Sequence, residues 1–203
     1  MNSDQRQAAL FDLPPALPHG LVYRPGFISP DEEGALLTAF ASLPFREARF
    51  REYLAKRRVV HYHADESIRS YEDGDDADGF SSGPLPAFLL DLRGKAADLA
   101  AVAPTSFVHA LVSEYREGTP IGWHRDRPEY GIVVGISLAG WGRMRFRPRP
   151  PTASSKTDPR RIVVLDLEPR SAYVMQGAIR WDWQHSLLPT KGLRYSVTFR
   201  TAA

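Results

Sequence analysis

The sequence predicts a mainly β protein with helical additions, and three observations carry that expectation. From residue 107 onward, apolar and polar residues alternate at period two in short runs separated by turn chemistry, which indicates a sandwich or barrel. Two helical patterns precede those runs. The chain has 203 residues, 43% of them apolar and 25% charged, which suits one globular domain with a real core.

Residues 1–20 are polar and then dotted with proline, and read as an N-terminal arm. "LVYRPGFIS" is a short strand leading into a helix start. Ser29-Pro30-Asp31-Glu32 forms a capping box with proline at the first helical position. Leu36, Leu37 and Phe40 then mark a helical face that should end near residue 42. Residues 46–63 are strongly basic and finish in a β-like run. Residues 65–79 are an acidic loop; "DGDDADG" lacks the phase and the final glutamate of a calcium loop, so no calcium site is expected. Leu85, Leu89, Leu92, Ala96 and Leu99 predict a second helix over 85–100. Strands are then expected at 107–115, 132–138, 143–147, 161–167, 171–175, 184–188 and 194–200. The basic, proline-rich segment between the third and fourth of these reads as a long exposed loop.

Several function classes are excluded or disfavoured. Cysteine is absent, which rules out disulfides, thiolate metal sites and a cysteine nucleophile, and fits a reducing cytoplasm. No apolar run approaches the roughly 18 residues of a membrane span, and no signal pattern opens the chain, so no membrane partner is expected. Net charge is only +2, but the charge is unevenly distributed.

The chemistry gathers around "GWHRDRPEYG", residues 122–131. On an extended segment His124 and Asp126 point to the same side, about 6.5–7 Å apart, and both can meet one ion. His185, at the start of a short strand, is the candidate third ligand. Two histidines and one carboxylate form the facial triad of non-haem Fe(II) oxygenases, which leaves positions open for co-substrate and O2. In "RYSVTFR", Arg194, Ser196, Thr198 and Arg200 share one strand face, while Tyr195, Val197 and Phe199 share the other. Inward guanidinium groups need anions, and arginine grips carboxylates with a two-pronged fork. Iron with a bound dicarboxylate points to 2-oxoglutarate.

A His-x-Asp pair, a distal histidine about sixty residues on, and then two arginines six apart resemble the AlkB family of Fe(II)/2-oxoglutarate dioxygenases. The likeness covers roughly residues 107–200, with a weaker echo in "GLVYRPGFIS". It implies a double-stranded β-helix, or jelly roll, with the N-terminal helices backing one sheet. The single domain would span 1–203, with an arm at 1–20, a substrate-recognition flap at 46–80 and a catalytic core at 104–201. It also implies that His124, Asp126 and His185 bind Fe(II), the catalytic centre, and that Arg194 holds the distal carboxylate of 2-oxoglutarate. Arg200 would lie near the metal-end carboxylate, and Tyr115 would hydrogen-bond the co-substrate. Ser113 and Ser196 stand where the family often has asparagine, and a shorter hydroxyl there leaves room for water. Where some members carry a base-contacting acidic residue, this chain has Pro128, with Glu129 next.

The family's oxidative removal of alkyl groups from nucleic-acid bases implies a DNA or RNA substrate. A base would leave its stack to reach the metal. The basic run holds Arg46, Arg49, Arg51, Lys56, Arg57 and Arg58 among Phe50, Tyr53 and Tyr62, a mixture suited to phosphate contact and base stacking. Arg57, Arg58, Tyr53, Tyr62 and Glu129 are therefore the substrate-side candidates. Two rivals stand beside this reading. One is the same chemistry on a protein side chain or small molecule; the other is a non-catalytic metal- or nucleic-acid-binding β-barrel. A second His-x-Asp, His63-Ala64-Asp65, follows His61. His61 and Asp65 would be about 13 Å apart on one straight strand, so that copy is expected to be flap or surface. His19 and His109 are expected to be structural, and Trp181 and Trp183 to pack at the core or rim. A monomer is expected.

Overall fold

The computed structural model describes residues 17–50, 53–64, 83–149 and 161–203. The arm before residue 17, the acidic loop and most of the proline-rich loop lie outside the described residues. Among the described residues, eleven strands and three α-helices follow in the order β1 (Leu21–Arg24), α1 (Pro30–Phe40), β2 (Arg46–Phe50), β3 (Tyr53–His63), α2 (Leu90–Ala100), β4 (Phe107–Tyr115), β5 (Ile121–His124), β6 (Tyr130–Leu138), β7 (Gly142–Pro148), β8 (Val163–Leu167), β9 (Ala172–Met175), α3 (Ala178–Trp181), β10 (Trp183–Leu187) and β11 (Arg194–Ala202).

The strands form two antiparallel sheets, a jelly roll. The seven-stranded sheet runs β1-β9-β6-β11-β4-β3-β2, and the four-stranded sheet runs β5-β10-β7-β8. Period-two alternation assigns each strand residue to one of two cores. On β11, Val197 and Phe199 turn to a helix-side core with Leu36, Phe40, Leu92 and Ala96 of the helices. Burying such a side chain contributes about 1.5–3 kcal/mol. The second core lies between the sheets, where Tyr115, Val133, Phe146, Leu167 and Met175 meet.

Local chemistry sets the helix ends. Ser29 and Glu32 make both bonds of the capping box, at 2.9 and 3.2 Å. Glu33 then locks α1 onto two turns. It accepts from the Ala139 amide at 2.9 Å and from Arg170 at 2.9 Å. Both of those residues have positive φ, 64° and 65°. Lys95 of α2 pairs with Glu32 of α1. The second helix starts later than the leucine spacing predicts. A 3-10 turn over Ala87–Leu89 follows Pro86, and regular α-helix begins only at Leu90. Pro86 disfavours the α conformation for Leu85 before it, so the helix cannot open at that residue. The basic run folds as the β2–β3 hairpin, and β5 and α3 are elements that the periodicity did not indicate. Each is only four residues long, too short to show a period.

Candidate active site

Two strands of the small sheet and one loop bring three distant residues together. His124 ends β5 and is the direct cross-strand partner of His185 on β10. Their rings lie 4.2 Å apart, centroid to centroid. Asp126 sits two residues past His124, just beyond the end of β5, and its Oδ2 is 3.6 Å from His185 Nε2. The remaining atoms of these side chains are held from outside. His124 Nδ1 lies 2.9 Å from the Gly122 carbonyl, so that nitrogen carries the hydrogen and Nε2 keeps its lone pair. Arg200 donates to Asp126 Oδ1 from Nε at 2.9 Å and from Nη2 at 2.8 Å. Oδ2 is buried and takes no hydrogen bond.

Electrostatics suit a cation. Burial pushes the His185 imidazole down to about 3, with the His124 ring adding to the shift against a smaller pull from Asp126. Burial lowers His124 as well. Both rings are therefore neutral at physiological pH. Burial alone would raise the Asp126 carboxyl, but the Arg200 guanidinium, charged and hydrogen-bonded to it, outweighs burial and holds the group ionised, well below the usual carboxylate range. Two neutral imidazoles and an anionic oxygen without a hydrogen bond make a donor set that fits Fe(II).

A cavity extends from this cluster along the inner face of β11, lined by Arg194, Ser196, Thr198 and Arg200. At its buried end Arg194 is 2% exposed. It donates from Nε to Ser137 Oγ at 3.0 Å and stacks over the Tyr115 ring at 4.8 Å. Ser196 lies 3.4 Å from the Tyr115 hydroxyl. Ser113 and Tyr115 line the same cavity from β4. The site can thus take a group with a carboxylate at the Arg194 end and metal-binding oxygens at the His124 end.

The substrate-side candidates are dispersed. Arg57 lines the cavity. Arg58, one residue on, faces away and pairs bidentately with Glu114 at 2.8 and 2.7 Å. Tyr62 is buried in the helix-side core, which corrects the expectation that it can stack on a base. The parity of β3 explains both: residues 57, 59, 61 and 63 turn inward, and even-numbered residues turn out. Tyr53 lies in β3, but its side chain is outside the described residues. Glu129 is exposed in the loop after Asp126.

Two participants were missed. Tyr173 enters the cavity wall through space that Gly135 leaves open; a Cβ at Gly135 would sit 2.3 Å from its ring. The signal was available, because a glycine inside "IVVGISL" marks a close approach. His109 meets Arg200, with Nδ1 3.1 Å from Nη1. It shares the face of Ser113 and Tyr115 on β4. Trp183 packs at the edge of the inter-sheet core, and Trp181 is 39% exposed at the rim.

Comparison with known proteins agrees with this geometry. Residues 20–200 match the 2OG-Fe(II) oxygenase superfamily. A solved structure titled "The structure of OsALKBH1" superposes with a TM-score of 0.67 at 15% identity, covering 92% of this chain and all of that one, a likeness of fold. An uncharacterized protein, L905, of Acanthamoeba polyphaga mimivirus is 28% identical over 103 residues; the match spans 44% of this chain and 46% of the viral protein. Among the described residues no helix is long and apolar enough to cross a membrane. With the match covering nearly its whole length, the chain belongs to the 2OG-Fe(II) oxygenase superfamily, whose dioxygenases use Fe(II), 2-oxoglutarate and O2, and it has an AlkB-like fold.

Proposed function

We propose that this protein oxidatively dealkylates N-alkylated bases of DNA or RNA, acting in the cytoplasm. The observation that carries the chemistry is the meeting of His124, Asp126 and His185 at one end of a cavity whose other end is Arg194. In this reading those three residues hold iron. Arg194 grips the distal carboxylate of 2-oxoglutarate, with Tyr115, Ser113 and Ser196 beside it. Arg200 orients Asp126 by occupying one oxygen, so that the other faces the metal. Iron(II) with 2-oxoglutarate activates O2 and supplies the oxidising power for attack on a C–H bond. Hydroxylation of an N-alkyl carbon leaves a hemiaminal, which breaks down to the free base and an aldehyde.

The nucleic-acid part rests on charge and aromatic placement. Arg57 stands in the cavity wall, suited to an anionic or base-bearing substrate. On the outer face of the small sheet, Arg145 and Arg147 lie 4.9 and 4.4 Å from the Trp123 ring, a basic and aromatic patch suited to phosphate contact. The test is anaerobic titration with Fe(II) and 2-oxoglutarate, then assay of succinate with a panel of methylated oligonucleotides. Succinate formation stimulated by a methylated strand, with release of aldehyde, supports the reading. Uncoupled succinate formation indifferent to every oligonucleotide would move the substrate to a protein or small molecule.

A further inference from the structure

Next to the iron-site candidates, the inner face of the large sheet carries three more imidazoles. His61 and His63 project inward from β3, and His109 projects inward from β4 as the direct cross-strand partner of His63. One ring nitrogen from each lies within 4.8 Å of the others. His61 Nδ1 and His109 Nε2 are 3.2 Å apart. The His63 and His109 rings are 4.8 Å apart, centroid to centroid. His63 and His109 are buried, and His61 is partly exposed, so the cluster has a solvent-side edge.

We propose that His61, His63 and His109 form a second metal site, for a divalent transition ion of the zinc class, distinct from the one at His124, Asp126 and His185. Nitrogens bound to one tetrahedral zinc at about 2.0–2.1 Å lie about 3.3 Å apart, close to the His61–His109 separation. The two side chains on β3 alone leave such an ion short of protein ligands. The neighbouring strand provides the missing ligand instead, because register sets His109 beside them.

Arg200 also fixes which nitrogen can ligate. A guanidinium only donates, so His109 Nδ1 accepts from Arg200, and Nε2 is the atom turned to His61. Without metal, a proton lies between His109 Nε2 and His61 Nδ1. The ion takes its place and the proton leaves to solvent. His109 then binds with imidazolate character, which the Arg200 charge supports. The ion would tie the β2–β3 hairpin, and with it Arg57, to β4 at the cavity wall.

The test uses metal-stripped full-length protein titrated with Co2+ by calorimetry and visible absorption. Wild type is expected to take two equivalents per chain. His61→Ala and, independently, His63→Gln should each take one, with the fold checked by circular dichroism. His185→Ala should lose the other equivalent and keep this one, and Zn2+ should then raise its melting temperature. A single equivalent in wild type, or a second equivalent that survives both His61→Ala and His63→Gln, would overturn the proposal. Failure of His185→Ala to remove any equivalent would instead strike at the iron assignment, so the two readings are separable.

Discussion

Asp126 faces different demands at its two oxygens. Oδ1 is satisfied by Arg200, and Oδ2 is left to His185 and whatever joins it. Replacing His185 with alanine should abolish Fe(II) binding and turnover while preserving the fold, because two protein ligands would remain. His63→Ala should leave uncoupled 2-oxoglutarate decarboxylation intact; if it also removes the iron seen by anaerobic titration at the first site, the wrong His-x-Asp has been assigned. Arg194→Lys should weaken 2-oxoglutarate by at least about tenfold, or ~1.4 kcal/mol, and iron far less, since lysine lacks the planar fork. Equal loss of both in a misfolded protein would make Arg194 structural. His185 also sets a pH dependence. Its imidazole sits at about 3 in the folded chain against an ordinary 6.5, so the unfolded chain binds the extra proton between those values. Stability of the metal-free protein should therefore fall as pH drops below 6.5, by about 2 kcal/mol from this one group between pH 7 and pH 5. Thermal unfolding of wild type and His185→Gln across that range measures it. Parallel curves for the two proteins would exclude His185 as the source.

Between neighbouring strands, glycine and parity decide what the site can hold. Gly142 on β7 leaves room for Arg194 of β11; an added Cβ would lie 2.8 Å from its Nε and 3.2 Å from Leu187. Gly142→Ala should displace that guanidinium, raise the KM for 2-oxoglutarate, spare iron binding and cost about 1–3 kcal/mol of stability. An unchanged KM would mean that the fork has slack. Parity also separates Arg57 from Arg58. Arg58→Ala leaves buried Glu114 with weaker partners, Arg116 and the Tyr195 hydroxyl, both at 3.3 Å. It should lower the melting temperature, by about 1–3 kcal/mol of stability, and leave cavity binding alone. Elements with a clear period were legible in the sequence: 107–115 and 194–200 became β4 and β11, and the Ser29 box opened α1. The short β5 and α3 were not, since four residues carry no period and their backbone bonds depend on partners elsewhere in the chain.

For the molecule as a whole, the salt dependence of binding tests the substrate class. If DNA or RNA is bound, each phosphate contact contributes roughly −0.7 to the slope of log K against log salt for single strands and −0.9 for B-DNA. Arg57→Glu should weaken oligonucleotide binding across sequences and flatten that slope by about one contact, read by fluorescence anisotropy at several salt concentrations. A wild type with no salt-dependent binding to any strand would sink the nucleic-acid reading and leave the iron and 2-oxoglutarate assignments standing on their own residues. Sequence alone determined the mainly β class and the two faces of "RYSVTFR", and it offered the residue types from which a facial triad is proposed, because strand alternation and ligand chemistry are local properties. Only the tertiary structure decided that Arg200 takes Asp126, that Arg58 takes Glu114 and that Tyr62 is buried with the helices. It also set His109 beside His61 and His63. Those outcomes depend on which strands become neighbours and in what register, and register is fixed by long-range pairing that no short stretch of chain encodes.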